Sequence, residues 1–434
     1  MHICVLGGGV VGVTTAYFLA REGYRVTVIE QHSNAGAETS YANGGQLSYS
    51  YVAPLAGPSV LSHLPGWLLS RTAPLRFRPS MSSAQWRWCL EFLRHCTTSR
   101  SRQTTVELLQ LGAYSKMVMH ELLNNESIDF SFNKNGKLIV YRDPDAFTIA
   151  LSQMEFQARF GTEQTALDVR ACVETEPALF RIRNKLVGGI FTPSEEAGDC
   201  RLFTLELSRL ASEKYNVKFL YDTELIGLRH ESNRVVAAVT SQGEFCGDHY
   251  VVALGNGSSE AVKPLGIRLP MYPLKGYSLT VPVRSSDIAP MVSVTDLHHK
   301  IVYARLGNQI RIAGMVDMTP VGSPEDRARI RLLKSQAKAT MPDAGDYSAA
   351  REWTGARPTT PDSKPLLGST HISNLWLNTG QGSLGFTLAC ASAKLVADAL
   401  SRRTPELDLA PYQLDGRNDA RSFIHNETGR DPWN

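Results

Sequence analysis

At 434 residues the chain is long enough for more than one hydrophobic core, and 43% hydrophobic with 20% charged residues is an ordinary globular balance. A net charge of +3 with no long basic run is too small to imply a nucleic-acid partner. Seven scattered cysteines without a C-x-x-C pair read as reduced, buried thiols, and Glu195-Glu196 and Asp287/Asp296 lack ligand partners, so neither disulfides nor a metal is expected.

The first strand begins at His2, leaving no room ahead of it for a signal peptide, and no run of eighteen apolar residues exists; a cytoplasmic setting is expected. The apolar run to Leu6 meets Gly7, Gly9 and Gly12 in G-x-G-x-x-G register. A helix is predicted over Val13 to Glu22, stopped by Gly23, and then a strand over Arg25 to Ile29 ending at Glu30. Each part has a task in binding a dinucleotide. Gly7 permits a tight turn, Gly9 lets the backbone approach a pyrophosphate, and Gly12 lets helix and strand pack closely. The helix N-terminus offers N–H groups to the phosphates, and Glu30 accepts from ribose hydroxyls. An acid at that position disfavours a 2′-phosphate, so FAD or NAD is expected over NADP.

Glu38 to Gln46 is small and polar, with adjacent glycines that would permit close approach to a cofactor. Tyr49 to Pro79 carries five prolines with Leu55, Val60, Leu61, Leu64, Trp67, Leu68 and Leu69, followed by Arg71, Arg76 and Arg78. With Trp86-Arg87-Trp88, this composition suits contact with a membrane surface, and equally a cover for a second domain or a partner surface. Helices are predicted over 100–125, 146–160 and 200–214, with a short strand over Lys137 to Tyr141. Strands at 217–221, 225–229 and 235–240 lead to Asp248 to Gly257, a buried strand running into a glycine turn that returns to the nucleotide sheet. Strands dominate 271–316, a helix follows over 324–339, and the Asn426 sequon reads as chance.

The C-terminal part brings in a family. Trp353-Thr354-Gly355-Ala356-Arg357-Pro358 precedes Pro365 to Gly368, and Gly380-Gln381-Gly382-Ser383-Leu384-Gly385-Phe386-Thr387 opens a helix reaching about Ser401. With the N-terminal turn, these blocks resemble the D-amino-acid oxidase/glycine oxidase superfamily of FAD enzymes. Glu38-Thr39-Ser40, Ala42-Asn43, Gly45-Gln46, Gly198-Asp199-Cys200 and Tyr272 to Pro282 are most similar to bacterial D-amino-acid dehydrogenases (small subunit). Gln381 departs from a frequent histidine, and His298-His299 stands where relatives place a tyrosine near the substrate.

The resemblance implies an α/β (α+β overall) fold: a Rossmann-like FAD-binding domain, discontinuous over 1–50, 168–262 and 350–402, and a substrate domain over 51–167 and 263–349 on a largely antiparallel sheet, with a flexible tail over 411–434. It implies FAD held by Gly7, Gly9, Val10, Val11, Gly12, Glu30, Gln31, Thr39, Ser40, Asn43, Gly44, Gly45, Gln46, Val217 and Gly255, and by Gly380, Gly382, Ser383, Leu384, Gly385 and Thr387. Arg357 matches the family's carboxylate-binding arginine, a bidentate clamp that would aim the substrate Cα–H at flavin N5. Lys275, Tyr277, His299 and Tyr303 lie in strands that should line the pocket. The implied reaction is oxidative deamination of D-amino acids, with electrons passed to a membrane quinone or another carrier. An oxidase using oxygen, a D-hydroxyproline or other secondary-amine dehydrogenase, and a non-catalytic FAD-binding subunit remain open alternatives.

Overall fold

The fold is described from a computed structural model, for residues 1–58, 60 and 73–415. The stretch carrying Leu61, Leu64, Trp67, Leu68, Leu69 and Arg71, the Asn426 sequon and residues 416–434 of the expected tail lie outside the described residues, whereas Tyr412, at the start of that tail, is buried and donates to the Glu107 carbonyl at 2.7 Å.

Strand β1 (His2–Leu6), helix α1 (Val10–Arg21) and strand β2 (Arg25–Ile29) form the expected unit. They belong to a six-stranded sheet ordered Leu366–Ser369, Leu375–Thr379, His249–Val252, β1, β2, Lys218–Leu220. Every pairing in it is parallel except that of the first two strands. Its central strands are mostly apolar on both faces because both faces are covered. On β1, Ile3 and Val5 join a core with α1, helix Cys200–Tyr215 and helix Gly385–Leu400. Cys4 and Leu6 point the other way, into a core shared with the three-stranded sheet at 225–245. The last helix with its lead-in, Gly382–Leu400, is long and apolar enough to cross a membrane, although Lys394 and Asp398 keep it from being an unbroken apolar run. Here it is a core helix: Leu388, Cys390, Leu395 and Val396 are fully buried against α1 and helix Thr98–Asn125.

The second sheet has nine strands, antiparallel for the most part. Its order is Arg351–Thr359, Tyr272–Pro282, Gln309–Met318, Ile301–Leu306, Ser293–Asp296, Lys137–Tyr141, Gly188–Thr192 and Thr165–Leu167, with Leu75–Phe77 added beside Gln309–Met318. One face packs on helix Arg327–Thr340 through Leu279, Ile310, Ile312, Ile330 and Leu333. The other faces the first unit. Two segments cross the division expected from sequence. Gly188–Thr192 pairs into this sheet, and Thr98–Asn125 packs Leu108, Leu111, Val118 and Leu122 into the core of the six-stranded sheet.

Behind the second sheet Asp317, fully buried, holds three partners. Arg76 donates to its Oδ2, Tyr277 OH donates to the same oxygen at 2.8 Å, and the buried Arg329 pairs with its Oδ1 at 2.8 Å. Removing one member of such a cluster strands the opposite charge in low dielectric. Asp317→Ala is therefore expected to cost about 3–5 kcal/mol of stability, read as a lower midpoint in urea with the slope unchanged.

Candidate active site

Between the two sheets lies a cavity of about 800 Å³. One end is built by the carboxyl ends of the parallel strands, where open α/β sheets bind their ligands. Gly7 has φ +106°, and a Cβ there would stand 2.6 Å from the Ala253 carbonyl oxygen. A Cβ on Gly12 would stand 1.9 Å from the Gly7 carbonyl oxygen, so only glycine allows α1 to start this close to the turn. Glu30 is held ready: its Oε2 accepts from Gly8 N–H at 2.6 Å and its Oε1 from His32 N–H at 2.9 Å. Ser40 Oγ accepts from Val10 N–H at 3.0 Å, tying the 38–46 loop to the start of α1.

That loop then crosses onto the second sheet. Thr39 Oγ1 donates to the Ala356 carbonyl at 3.1 Å, and Ser278 Oγ to the Ala42 carbonyl at 2.7 Å. Asn43 Oδ1 accepts from Gly45 N–H at 3.0 Å, and Gln46 Nε2 donates to the carbonyls of Val294 (3.3 Å) and Tyr303 (3.1 Å). A Cβ on Gly44 would press to 3.1 Å from Val302, so this crossing also depends on missing side chains. The far wall is the N-terminal turn of the last helix, Gly382 to Thr387, joined to the loop because Ser48 N–H donates to Thr387 Oγ1 at 3.1 Å.

Arg357 enters from strand Arg351–Thr359. Trp353, Gly355 and Arg357 alternate onto the cavity face, with Leu274, Gly276 and Ser278 of the neighbouring strand beside them. The guanidinium lies across Gly276, where a Cβ would come within 2.3–2.5 Å of its atoms, and the Trp353 indole lies across Gly355 in the same manner. Nη1 donates to the Met315 carbonyl at 3.3 Å, an oxygen presented by a non-glycine residue at φ +63°. Burial lowers the arginine's pKa from its ordinary value, with the Asp317 carboxylate pulling the other way. Among the described residues Arg357 makes that one hydrogen bond, so most of a five-donor fork faces the cavity.

Of the residues singled out from sequence, Gly7, Gly9, Val10, Val11, Glu30, Gln31, Thr39, Ser40, Asn43, Gly44, Gly45, Gln46, Gly255, Gly382, Ser383, Leu384, Gly385, Thr387 and Arg357 all line the cavity. Gly12 and Gly380 act from behind it, Gly12 by helix packing and Gly380 (φ +80°) by turning the chain toward Gln381. Five residues fall elsewhere, Tyr277 among them, since its ring lies in the core behind the second sheet with its hydroxyl on Asp317. Val217 is buried at the amino end of its strand, while the cavity takes Thr223 to Gly227 from beyond the carboxyl end. Lys275 alternates to the outer face and donates to the carbonyls of Ser323 and Pro324. Tyr303 does likewise: Val302 faces the cavity, and Tyr303 is sealed in the core beneath. His299 sits in the turn after Asp296, where Lys300 reaches the cavity in its place. Sequence reasoning missed Gly276, Met315 and Trp353. The period-two relation of Trp353 to Arg357 was a usable signal for one of them.

These features, a glycine cradle and a poised acid at the carboxyl ends of parallel strands, define a dinucleotide-dependent enzyme. The chain belongs to the FAD dependent oxidoreductase (DAO) family, whose model matches residues 2–399. It is 45% identical over 423 residues to D-amino acid dehydrogenase 2 of Ralstonia nicotianae, covering 95% of this chain and 100% of that one. It is 44% identical over 409 residues to D-amino acid dehydrogenase 2 of Pseudomonas aeruginosa, covering 94% and 96%. Among solved structures, glycine oxidase from Geobacillus kaustophilus superposes with a TM-score of 0.73 at 21% identity over 95% of this chain and 97% of that one. L-proline dehydrogenase from P. horikoshii gives 0.73 at 19% identity over 95% and 96%, which speaks for the fold alone.

The cofactor is FAD, and the residues fit it: a glycine cradle closed to any Cβ, an acid poised for a ribose, and a cavity continuous with a second sheet. Glu30→Ala is expected to raise the Kd for FAD about tenfold to a hundredfold, measured by fluorescence quenching on titration of the apoprotein, since charged acceptors of two hydroxyls are lost.

Proposed function

We propose that the protein is an FAD-dependent D-amino-acid dehydrogenase, which converts D-amino acids to 2-oxo acids and ammonia and passes electrons to a quinone or another carrier. The observation that carries it is Arg357: a cation enclosed by protein, facing the cavity, with donors left over for a planar carboxylate. The two relatives, each a D-amino acid dehydrogenase, support the D-amino acid.

Bound FAD supplies the hydride acceptor for the substrate α-carbon. The chain's own residues supply position and field. Arg357 grips the α-carboxylate, and the glycine pair Gly276 and Gly355 leaves room for guanidinium and indole to lie flat on the sheet. Trp353 then walls the space beside the carboxylate, where a substrate side chain would rest. The N-terminal turn at Gly382 to Thr387 points backbone N–H groups and a positive dipole end at the cavity, favouring negative charge there. The imino acid released is hydrolysed by water.

A location on the inner face of the cytoplasmic membrane is part of this reading. Helix Ser83–His95 exposes Trp86, Leu90 and Leu93 on one stripe beside Arg87 and Arg94, with the exposed Met81 just ahead of it, a composition suited to an anionic lipid surface.

Anaerobic mixing of the yellow protein with D- and L-amino acids and proline derivatives, followed by air, tests the reading. Bleaching by D-amino acids with slow recovery in air is expected. Fast recovery with peroxide would make the enzyme an oxidase, bleaching by proline derivatives alone a secondary-amine dehydrogenase, and no bleaching at all would overturn the assignment.

A further inference from the structure

Strand Lys137–Tyr141 is buried along its whole length, yet it opens with a lysine. Lys137 is 2% exposed and lines the same cavity as Arg357. Its Nζ donates to Ser48 Oγ at 2.9 Å and stands 4.0 Å from the centre of the Tyr51 ring. No carboxylate forms an ion pair with it among the described residues. Glu195, also buried, acts on it through space and uses Oε1 to accept from Ser50 N–H at 2.7 Å. An ammonium has three donors, so two remain for whatever the cavity holds. Burial pushes its pKa down to about 8, the mark of a cation kept in poor dielectric surroundings. Packing alone would be served better there by methionine or leucine.

Its place in the cavity says what those donors meet. Ser48 joins Lys137 on one side to the first turn of the last helix on the other, through its N–H to Thr387 Oγ1. This lies on the second sheet's side of the cavity, away from the glycine cradle and Glu30 that hold the adenosine half.

We propose that Lys137 is a cofactor-tuning residue: seated on Ser48 and Tyr51, its ammonium faces the isoalloxazine end of bound FAD and stabilises the negative charge the ring takes up on reduction. Charge near the ring is a principal means by which a protein sets a flavin's potential. The inference rests on FAD and not on which amino acid is the substrate.

The test uses the FAD-loaded enzyme with no amino acid present. Sulfite forms a bond from sulfur to flavin N5 and moves negative charge onto the ring, so its Kd, read from loss of flavin absorbance, reports the field at the ring. Dye equilibration reads the two-electron potential alongside it. Lys137→Met is expected to raise the sulfite Kd about tenfold or more and make the potential more negative, while Lys137→Arg stays within about twofold of the parent. Unchanged sulfite affinity and potential in FAD-loaded Lys137→Met would overturn the proposal, as would equal effects of arginine and methionine, which would mark a packing role. Should the methionine protein not load with FAD, Lys137→Gln carries the same comparison. Loss of FAD from both neutral variants with retention in Lys137→Arg supports the charge assignment, and loss from all three overturns it.

Discussion

Replacing Arg357 with alanine is expected to lower kcat/KM for a D-amino acid about a thousandfold, mostly through KM, while FAD stays bound. Each charge-assisted hydrogen bond to a carboxylate contributes about 1.5–3 kcal/mol, and a bidentate clamp has two of them. FAD should remain because Arg357 stands on the second sheet, whereas the cofactor cradle is built from Gly7, Gly12, Glu30 and Ser40 on the first. Stopped-flow bleaching of the flavin against substrate concentration separates the two: the half-saturating concentration should climb steeply, with the flavin spectrum of the resting protein unaltered. Kinetics on D-alanine equal to the parent's would remove Arg357 from the substrate site.

Gly276→Ala is expected to reproduce much of that loss, about a hundredfold in kcat/KM, without touching a charged group. Gly276 is outside the left-handed region, so alanine fits its backbone. The new methyl would, however, lie 2.3–2.5 Å from three guanidinium atoms of Arg357, well inside contact distance. The end of a long side chain gives way before a strand does, and the clamp is displaced by an ångström or more. Full-length protein with normal FAD content and a raised KM is the expected outcome. Parent-like kinetics would show that Arg357 binds substrate from another position.

The two variants mark where the sequence was legible. The N-terminal unit could be read directly because its signals are local: a strand, three glycines, a helix and an acid within thirty residues, each with a separate physical task. Strand Lys137–Tyr141 and the helices around 98–125 and 200–215 were readable from their apolar pattern. Lys275, Tyr277 and Tyr303 were misread for one reason. A strand shows its neighbours to opposite faces, and which face meets a cavity depends on pairing that composition does not reveal. The bulge opposite Lys275 and Tyr277 puts an extra residue into strand Gln309–Met318 and shifts the parity there, while strand Tyr272–Pro282 keeps its own. Val217 failed on direction, since it sits at the wrong end of a parallel strand.

By itself the sequence determined that this protein has a dinucleotide cradle, an acid at Glu30 that fits FAD or NAD, and an arginine beside a proline turn, because these depend on spacing and residue chemistry within short segments. Only the tertiary structure decided that Arg357 lies over Gly276, that the Met315 carbonyl holds it, and that Lys137 faces the same cavity through Ser48, eighty-nine residues away. Those contacts exist because strand register and a loop crossing between two sheets bring distant residues together, and such pairing leaves no periodic trace in the chain.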